Sequence, residues 1–281
     1  MSRLLAPLCV AIALAAAPAS AQAAPEQARI SVVTRGSGPD VILIPGLASS
    51  RGIWASTAAA LPGYRYHFVQ VAGFAGTPAR GNSAGPVAAA VAAEIARYIA
   101  ARRLDRPAIV GHSMGGSIAM MIGARHPAAA GKVMVVDMLP APVRTFGVPA
   151  PAMKPLAKLI GDQLQGADRL RRDLRPLVSR FGSPDWMESR NDSGVVARSV
   201  EELLATDLTP ELRRIRAPLT IVYACSARLS YACGQVSRAF TRAYSARPGT
   251  RLVRIDRSGH TIMSDQPAAF QAELRHFLAG R

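Results

Sequence analysis

Lysine is scarce in this sequence of 281 residues: it occurs only at positions 132, 154 and 158, and arginine supplies nearly all of the positive charge. Acidic residues are also few, so the formal net charge is +16. A charge of this sign can attract nucleic acids or anionic surfaces. No basic run interleaved with aromatic residues accompanies it, and no nucleic-acid-binding motif is present. We therefore predict no nucleic-acid partner.

The apolar run at the start of the chain is short for a membrane span. Arg3 precedes the apolar stretch Leu4–Ala17, which Pro18 ends, and Ala21–Ala23 fits the small-x-small pattern of a signal-peptide cleavage site. We interpret residues 1–23 as a signal peptide. The mature protein is then expected in the periplasm or the medium, without a stable membrane anchor.

Cysteine is rare, with three in the chain. Cys9 lies within the predicted signal peptide and too early for a lipoprotein acceptor site, so cleavage would leave only Cys225 and Cys233. An even pair in an oxidising compartment predicts a disulfide between these two residues. No histidine stands at ligand spacing from them, so we predict no metal site.

Apolar runs alternate with helical patterns along most of the chain, which predicts an α/β fold with a mostly parallel, doubly wound sheet. The predicted strands are 30–34, 40–44, 66–71, 108–110, 132–136, 218–224 and 251–255, and the predicted helices are 54–61, 86–103, 117 to about 126, 234–246 and 267–278.

The alternation breaks between Met138 and about Thr209, where helical segments occur without a convincing strand. A helical insertion between two strands of a parallel sheet is typical of a lid over the carboxyl ends of the strands, where such sheets bind ligands. We predict a core of residues 24–137 and 210–281, with 138–209 as a helical cap or lid.

A Gly-x-Ser-x-Gly motif stands between a predicted strand and a predicted helix. Gly111 and Gly115 flank Ser113, the apolar run Ala108–Val110 precedes them and helix-forming residues follow. In this context the serine occupies a sharp, strained turn, and the glycines let the strand and the helix pass closely. The helix also points its first N–H groups at the serine, where an oxyanion would form. The motif predicts that Ser113 is a nucleophile.

A neutral serine needs a base within hydrogen-bonding distance. Of the five histidines, only His260 follows the carboxyl end of a strand. His112 adjoins the serine inside the turn, where its side chain is expected to diverge from the hydroxyl. The remaining three are at a strand start, a helix end and within the last helix: His67, His126 and His276. We predict His260 as the base.

The acid that would orient the base has two candidates at strand ends. Asp137 follows the predicted strand 132–136, which should lie beside the serine strand and face the same crevice. Asp256 stands only four residues before His260, and it could instead cap the turn. We favour Asp137; Asp256, a carboxylate of the lid, or no acid at all stay open.

Five segments together resemble the α/β-hydrolase fold superfamily, in the right order and over essentially the whole mature chain. They are Leu43–Leu47, Val71–Gly76, Gly111–Gly116, Ser258–His260 and Asp265–Pro267. The resemblance implies that Ser113 is the nucleophile and His260 the base. It also implies an oxyanion hole made by the backbone N–H groups of Leu47 and Met114.

The chain departs from the pattern of this superfamily at two places. The first loop usually reads His-Gly, but here it is Pro45-Gly46, which removes a side chain from the pocket wall and keeps the backbone groups. The acid usually follows the next-to-last strand, yet the matching loop, 225–233, contains no carboxylate. Some members place the acid after the strand that follows the nucleophile, where Asp137 stands.

These observations predict an exported serine hydrolase that cleaves a small-molecule carboxylic ester, or a related acyl compound, without a cofactor. Haloalkane dehalogenases and epoxide hydrolases are disfavoured because both would have an aspartate at position 113. Lactonase, peptidase and carbon–carbon bond hydrolase activities stay open within the superfamily. The alternative from another class is a non-catalytic ligand-binding protein on the same fold.

Overall fold

The structure, a computed structural model, describes residues 27–142, 191–226 and 233–280. The predicted signal peptide and residues 143–190 of the predicted cap lie outside the described residues. The strands are β1 (Ile30–Arg35), β2 (Asp40–Ile44), β3 (Arg65–Val71), β4 (Ala108–His112), β5 (Lys132–Val136), β6 (Leu219–Cys225) and β7 (Arg251–Asp256). The helices are α1 (Ala55–Ala60), α2 (Ala88–Ala101), α3 (Met114–Arg125), α4 (Ser193–Ala205), α5 (Cys233–Tyr244), α6 (Ile262–Asp265) and α7 (Pro267–Ala279).

The strands form one sheet in the order β1-β3-β2-β4-β5-β6-β7. Only the pair β1–β3 is antiparallel; every other neighbouring pair in this sheet is parallel. The predicted α/β class and the mostly parallel sheet are therefore confirmed. The central strands are almost continuously buried apolar runs, as expected for parallel strands covered by helices on both faces.

Two apolar clusters fill the space on the two faces of the sheet. On one face α2, α3 and α5 pack against the strands, with residues such as Ile95, Ile118 and Phe240. On the other face Trp54 packs with α6 and α7, whose buried residues include Met263 and Phe270. Helices therefore pack on both faces of the sheet, as in a doubly wound α/β fold.

Several predicted boundaries differ from the observed ones by a few residues. Of the predicted helix 54–61, Trp54 belongs to a 3-10 turn, Arg51–Trp54, and residues 55–60 form the short helix α1. Helix α2 begins at Ala88, two residues after the predicted start, because Glu202 caps it from a distant segment. The Glu202 carboxylate accepts hydrogen bonds from the N–H groups of residues 87, 88 and 89 at 2.6 to 2.8 Å.

Helix α4 lies within the segment that the sequence predicts as a cap. The side chain of Asp192 caps its first turn by accepting a hydrogen bond from Val195 N at 2.9 Å. The residues that lead into it meet the loop after β3: Asp192 N donates to Gly73 O, and Asn191 Oδ1 accepts from Ala75 N, both at 2.8 Å. This part of the segment is helical and is anchored beside the carboxyl end of β3.

Within the described part of the chain, no helix has the length and the apolar character that crossing a bilayer requires.

Candidate active site

The strand order reverses between β2 and β4, and this switch point opens a crevice at the carboxyl end of the sheet. The chain runs outward from β2 to β3 and then returns to the other side of β2 to form β4. Because the loops after β2 and β4 leave in opposite directions, an open α/β sheet binds its ligands at such a point. Gly46 lies two residues after the end of β2, and Ser113 directly follows β4.

Ser113 occupies a strained turn between β4 and α3. Its backbone angles are φ 53° and ψ −122°, a region that residues with a side chain rarely adopt. The turn is held by hydrogen bonds from Ser113 N to Val136 O at 2.9 Å and from Gly116 N to Ser113 O at 2.7 Å. A Cβ atom at Gly115 would come within 2.4 Å of Ile44 O, so only glycine allows this close approach.

The two backbone N–H groups that the resemblance implies for an oxyanion hole belong to segments that meet at Ser113. Met114 is the first residue of α3, so its N–H has no acceptor within the helix. Leu47 follows Gly46, where an added Cβ would lie 3.2 Å from Ser113 Cβ. The loop after β2 therefore packs against the serine, as an oxyanion hole between positions 47 and 114 requires.

Asp137 lies at the carboxyl end of β5 and contacts His260. Its Oδ2 atom lies 2.7 Å from His260 Nδ1, and its Oδ1 atom accepts a hydrogen bond from Ala224 N at 2.9 Å. The backbone also turns sharply here, because Asp137 has a φ of 51°. Its own N–H donates to Val222 O at 2.7 Å, so β6 fixes both the backbone and the carboxylate.

His260 lies in the loop between β7 and α6. Gly259 N donates to the carboxylate of Asp265 at 2.8 Å, and Ser258 N donates to Cys225 O at 3.2 Å, so the loop is anchored on both sides. Since Nδ1 must donate its proton to the Asp137 carboxylate, Nε2 carries the free lone pair. No hydrogen bond joins this Nε2 to Ser113 Oγ in the structure; catalytic hydrogen bonds often tighten only with substrate.

The other candidate acid, Asp256, has an ion-pair partner other than His260. Its carboxylate pairs with Arg254 at 2.7 Å, and its side chain is 56% exposed. Its backbone pairs with Cys225 in the register of β6 and β7. Of the two carboxylates weighed from the sequence, the structure brings Asp137, and not Asp256, to His260.

His112 is the residue at this site that sequence reasoning set aside. It is the last residue of β4 and is 4% exposed. Its Nε2–H donates to the carbonyl oxygen of His260 at 2.9 Å, while its buried Nδ1 has no hydrogen-bond partner. Burial, together with the neighbouring His260, lowers the pKa of His112 to about 3, so the ring is neutral. Its position next to Ser113 was the only available signal.

Cys225 and Cys233 lie at the end of β6 and the start of α5. The structure joins their sulfur atoms, and their Cα atoms lie 5.6 Å apart, within the usual range for a disulfide. Among the described residues, these cysteines and Asp256 form the one group of three metal-ligating side chains within 4.8 Å of one another. The disulfide uses both thiols, so this group offers a metal no thiolate.

Comparison with known proteins places this arrangement in a family. A sequence model described as "Alpha/beta hydrolase family" matches residues 41–273, which is most of the chain. The chain belongs to the alpha/beta hydrolase family. The predicted superfamily is therefore confirmed, and the match runs from β2 through most of α7.

The individual proteins that this chain resembles share 26% sequence identity or less with it. The chain is similar to the pimeloyl-[acyl-carrier protein] methyl ester esterase of Aeromonas hydrophila subsp. hydrophila, with 26% identity over 268 residues, covering 89% of this chain and 99% of the relative. Among solved structures, a hydrolase from Pseudomonas aeruginosa PA01 has a TM-score of 0.70 and 17% identity, covering 89% of this chain and 94% of that one. The enol-lactonase of Burkholderia xenovorans LB400 has a TM-score of 0.64 and 19% identity, with coverages of 89% and 96%. Family membership and the curated relative support a hydrolase; the two structures support the fold.

Proposed function

We propose that this protein is an exported serine hydrolase that cleaves carboxylic esters, or related acyl compounds, through an acyl-enzyme on Ser113. The observation that carries the proposal is the 2.7 Å contact between His260 Nδ1 and the Asp137 carboxylate. A carboxylate in this position selects the tautomer in which Nε2 can accept a proton, and it stabilises the imidazolium that results.

Acylation follows from these roles. His260 Nε2 takes the proton of Ser113 as Oγ forms a bond to the carbonyl carbon of the substrate. The carbonyl oxygen becomes an oxyanion and accepts hydrogen bonds from Leu47 N and Met114 N. The imidazolium then gives its proton to the alkoxide leaving group, the carbon–oxygen bond breaks, and the alcohol departs.

Deacylation uses the same groups with water in place of the serine. His260 removes a proton from a water molecule, whose oxygen attacks the acyl carbon. The second tetrahedral oxyanion collapses, the bond to Ser113 Oγ breaks, and the serine regains its proton from the imidazolium. The net reaction consumes one water and releases an alcohol and a carboxylic acid.

The substrate class is inferred from a relative of known name. The Aeromonas relative is named as a methyl ester esterase, which favours a simple acyl ester as substrate. A lactone is an internal ester and would be opened by the same steps, so lactonase activity belongs to the same proposal. Export, with the mature protein in the periplasm or the medium, is proposed from the sequence pattern of residues 1–23.

The test combines labelling with turnover. We expect a fluorophosphonate probe to modify the purified protein at Ser113, and p-nitrophenyl esters of graded chain length to be hydrolysed. Ser113→Ala should remove both signals while far-UV circular dichroism stays unchanged. Ser264→Ala is the matched control, because Ser264 is an exposed serine of the neighbouring helix α6.

Two outcomes would refute this function. A folded wild-type protein that neither labels nor hydrolyses any ester of the panel would favour the non-catalytic, ligand-binding alternative. Turnover that survives in Ser113→Ala would instead mean that another residue is the nucleophile.

A further inference from the structure

A second cavity lies between the edge of the sheet and α1, lined by residues outside the candidate active site. Its volume is about 570 Å³, within the range of small-molecule sites. Its floor is formed by two cross-strand pairs of β1 and β3, Val33 with Phe68 and Arg35 with Tyr66. The 3-10 turn that begins at Arg51 closes one end.

The walls of this cavity are apolar. Ala55, Ala58 and Ala59 line it from one face of α1, at helical spacing, and their small side chains leave the space open. Val33 is 41% exposed. Among the described residues it is the one large hydrophobic residue that is exposed to solvent. An alkyl chain would cover this surface and remove it from water.

The charge of the cavity has one sign. Arg35 and Arg51 are the charged residues among those that line it, and neither has a carboxylate within ion-pair distance in the described part of the chain. The guanidinium of Arg51 donates only to neutral oxygens, Phe68 O at 3.4 Å and Ser31 Oγ. Partial burial without a counter-charge lowers the pKa of Arg51. A carboxylate would supply the missing counter-charge.

The backbone of Arg51 is also held in place, by the side chain of Gln70. Its N–H donates to Gln70 Oε1 at 2.9 Å, and Gln70 Nε2 in turn donates to Ser49 O at 3.2 Å. Because Gln70 holds the backbone of Arg51 and its guanidinium also donates to Phe68 O and Ser31 Oγ, the cation at the end of the cavity is preorganised, and binding an anion there would order little additional structure.

We propose that this cavity is a binding site for a free alkyl carboxylate, with its chain between α1 and the pair Val33–Phe68 and its head group on Arg51. The site is distinct from the one proposed for catalysis, and the inference does not depend on esterase activity. The apolar walls of the cavity match an alkyl chain, and the positive charge of its lining selects an anionic head group.

Isothermal titration calorimetry with dodecanoate, below its micellar concentration, tests the site. We expect the wild-type protein to bind dodecanoate and to bind dodecan-1-ol and dodecyltrimethylammonium much more weakly. Arg51→Gln should weaken dodecanoate binding by about tenfold, as expected for loss of a charge-assisted hydrogen bond. Ala58→Trp should abolish this binding by filling the cavity. Arg97→Gln, which removes an exposed arginine of α2, is the charge-matched control and should bind as the wild type does.

Three outcomes would overturn the proposal. Dodecanoate titrations that are unchanged by both Arg51→Gln and Ala58→Trp would mean that the carboxylate binds elsewhere. Equal affinity for the cationic detergent would remove the charge argument. Binding to phosphatidylglycerol vesicles without binding to free dodecanoate would indicate a membrane surface instead. If Ala58→Trp fails to fold, Ala59→Trp fills the same cavity from an exposed position.

Discussion

The imidazole of His112 lies directly against that of His260, with ring centroids 4.7 Å apart, and the Nε2–H of His112 donates a hydrogen bond to the carbonyl oxygen of His260. The buried ring thus fixes the backbone of the residue proposed as the base, while the Asp137 carboxylate fixes its side chain. The first of these supports depends on the protonation state of His112. A proton on His112 would place a buried charge beside His260.

The first prediction concerns stability at acid pH. As the pH falls, His112 takes up a proton in the unfolded chain near 6.5, but in the folded protein its pKa is about 3. Because the unfolded state then binds more protons, the free energy of unfolding should fall with pH between these values, by up to about 1.4 kcal/mol per pH unit from this group. His112→Gln keeps a donor and cannot titrate, so its stability should depend less on pH.

Urea unfolding at pH 4, 5, 6 and 7 measures this difference. His276→Gln is the matched control, because it removes a histidine from the partly exposed face of α7. Parallel slopes for His112→Gln and the wild type would show that His112 does not carry the pH dependence.

The second prediction separates the two candidate acids. In Asp137→Asn the amide oxygen can still accept from Ala224 N, but the amide nitrogen faces His260 Nδ1 and favours the wrong tautomer. We expect the acylation rate to fall by about 10²- to 10⁴-fold with little change in Tm. Asp256→Asn breaks only an exposed pair with Arg254 and should leave the rate nearly unchanged. Pre-steady-state hydrolysis of a p-nitrophenyl ester gives both rates; loss confined to Asp256→Asn would contradict the assignment.

The third prediction concerns the loop after β2. In Gly46→Ala the new Cβ would lie 3.0 Å from His112 Nδ1 and 3.2 Å from Ser113 Cβ, so the loop must move away by a few tenths of an ångström. Leu47 N would move with it, and we expect kcat to fall about tenfold or more. Gly52→Ala, whose Cβ would meet only Ser50 Oγ at 3.4 Å, should keep normal turnover. Equal kcat values for the two variants would argue against an oxyanion hole at Leu47.

The fourth prediction concerns Cys225 and Cys233. Mass spectrometry of the exported, unreduced protein should find them linked, and alkylation of both thiols without reductant would contradict this. The closed loop is short, so the bond should contribute about 2 to 3 kcal/mol to the free energy of unfolding. Reduction should also lower turnover, since Ala224 N and Cys225 O hold Asp137 and Ser258 at the same strand end. If a Cys225→Ala/Cys233→Ala variant kept the turnover of the wild type, the disulfide would not be needed to hold the active site in place.

Sequence alone predicted the sheet because its strands are apolar runs separated by helical patterns. It also predicted the two candidate acids, because strand ends are visible as the points where such runs stop. It favoured Asp137 but left Asp256 open, since the direction of a side chain at a strand end depends on the backbone turn. Asp137 has a φ of 51°, and no pattern of residue types encodes that angle.

Contacts between distant segments were the part that the sequence did not predict. His112 meets the His260 loop across 148 residues, and Glu202 caps α2 across 113 to 115. A histidine next to a serine and a glutamate in a helix are ordinary in sequence. Their roles depend on which loop or helix end the tertiary fold brings to them.

Ser113 and Asp137 share a backbone property that folding alone would not favour. Both have φ above 50°, a conformation that typically costs about 1 to 3 kcal/mol for a residue with a side chain. Glycine would adopt either turn with less strain. Selection for thermal stability alone would therefore favour glycine at positions 113 and 137. These substitutions would remove both the proposed nucleophile and its acid. Stabilised versions of this protein should accordingly be sought by changing residues elsewhere, with these two positions held fixed.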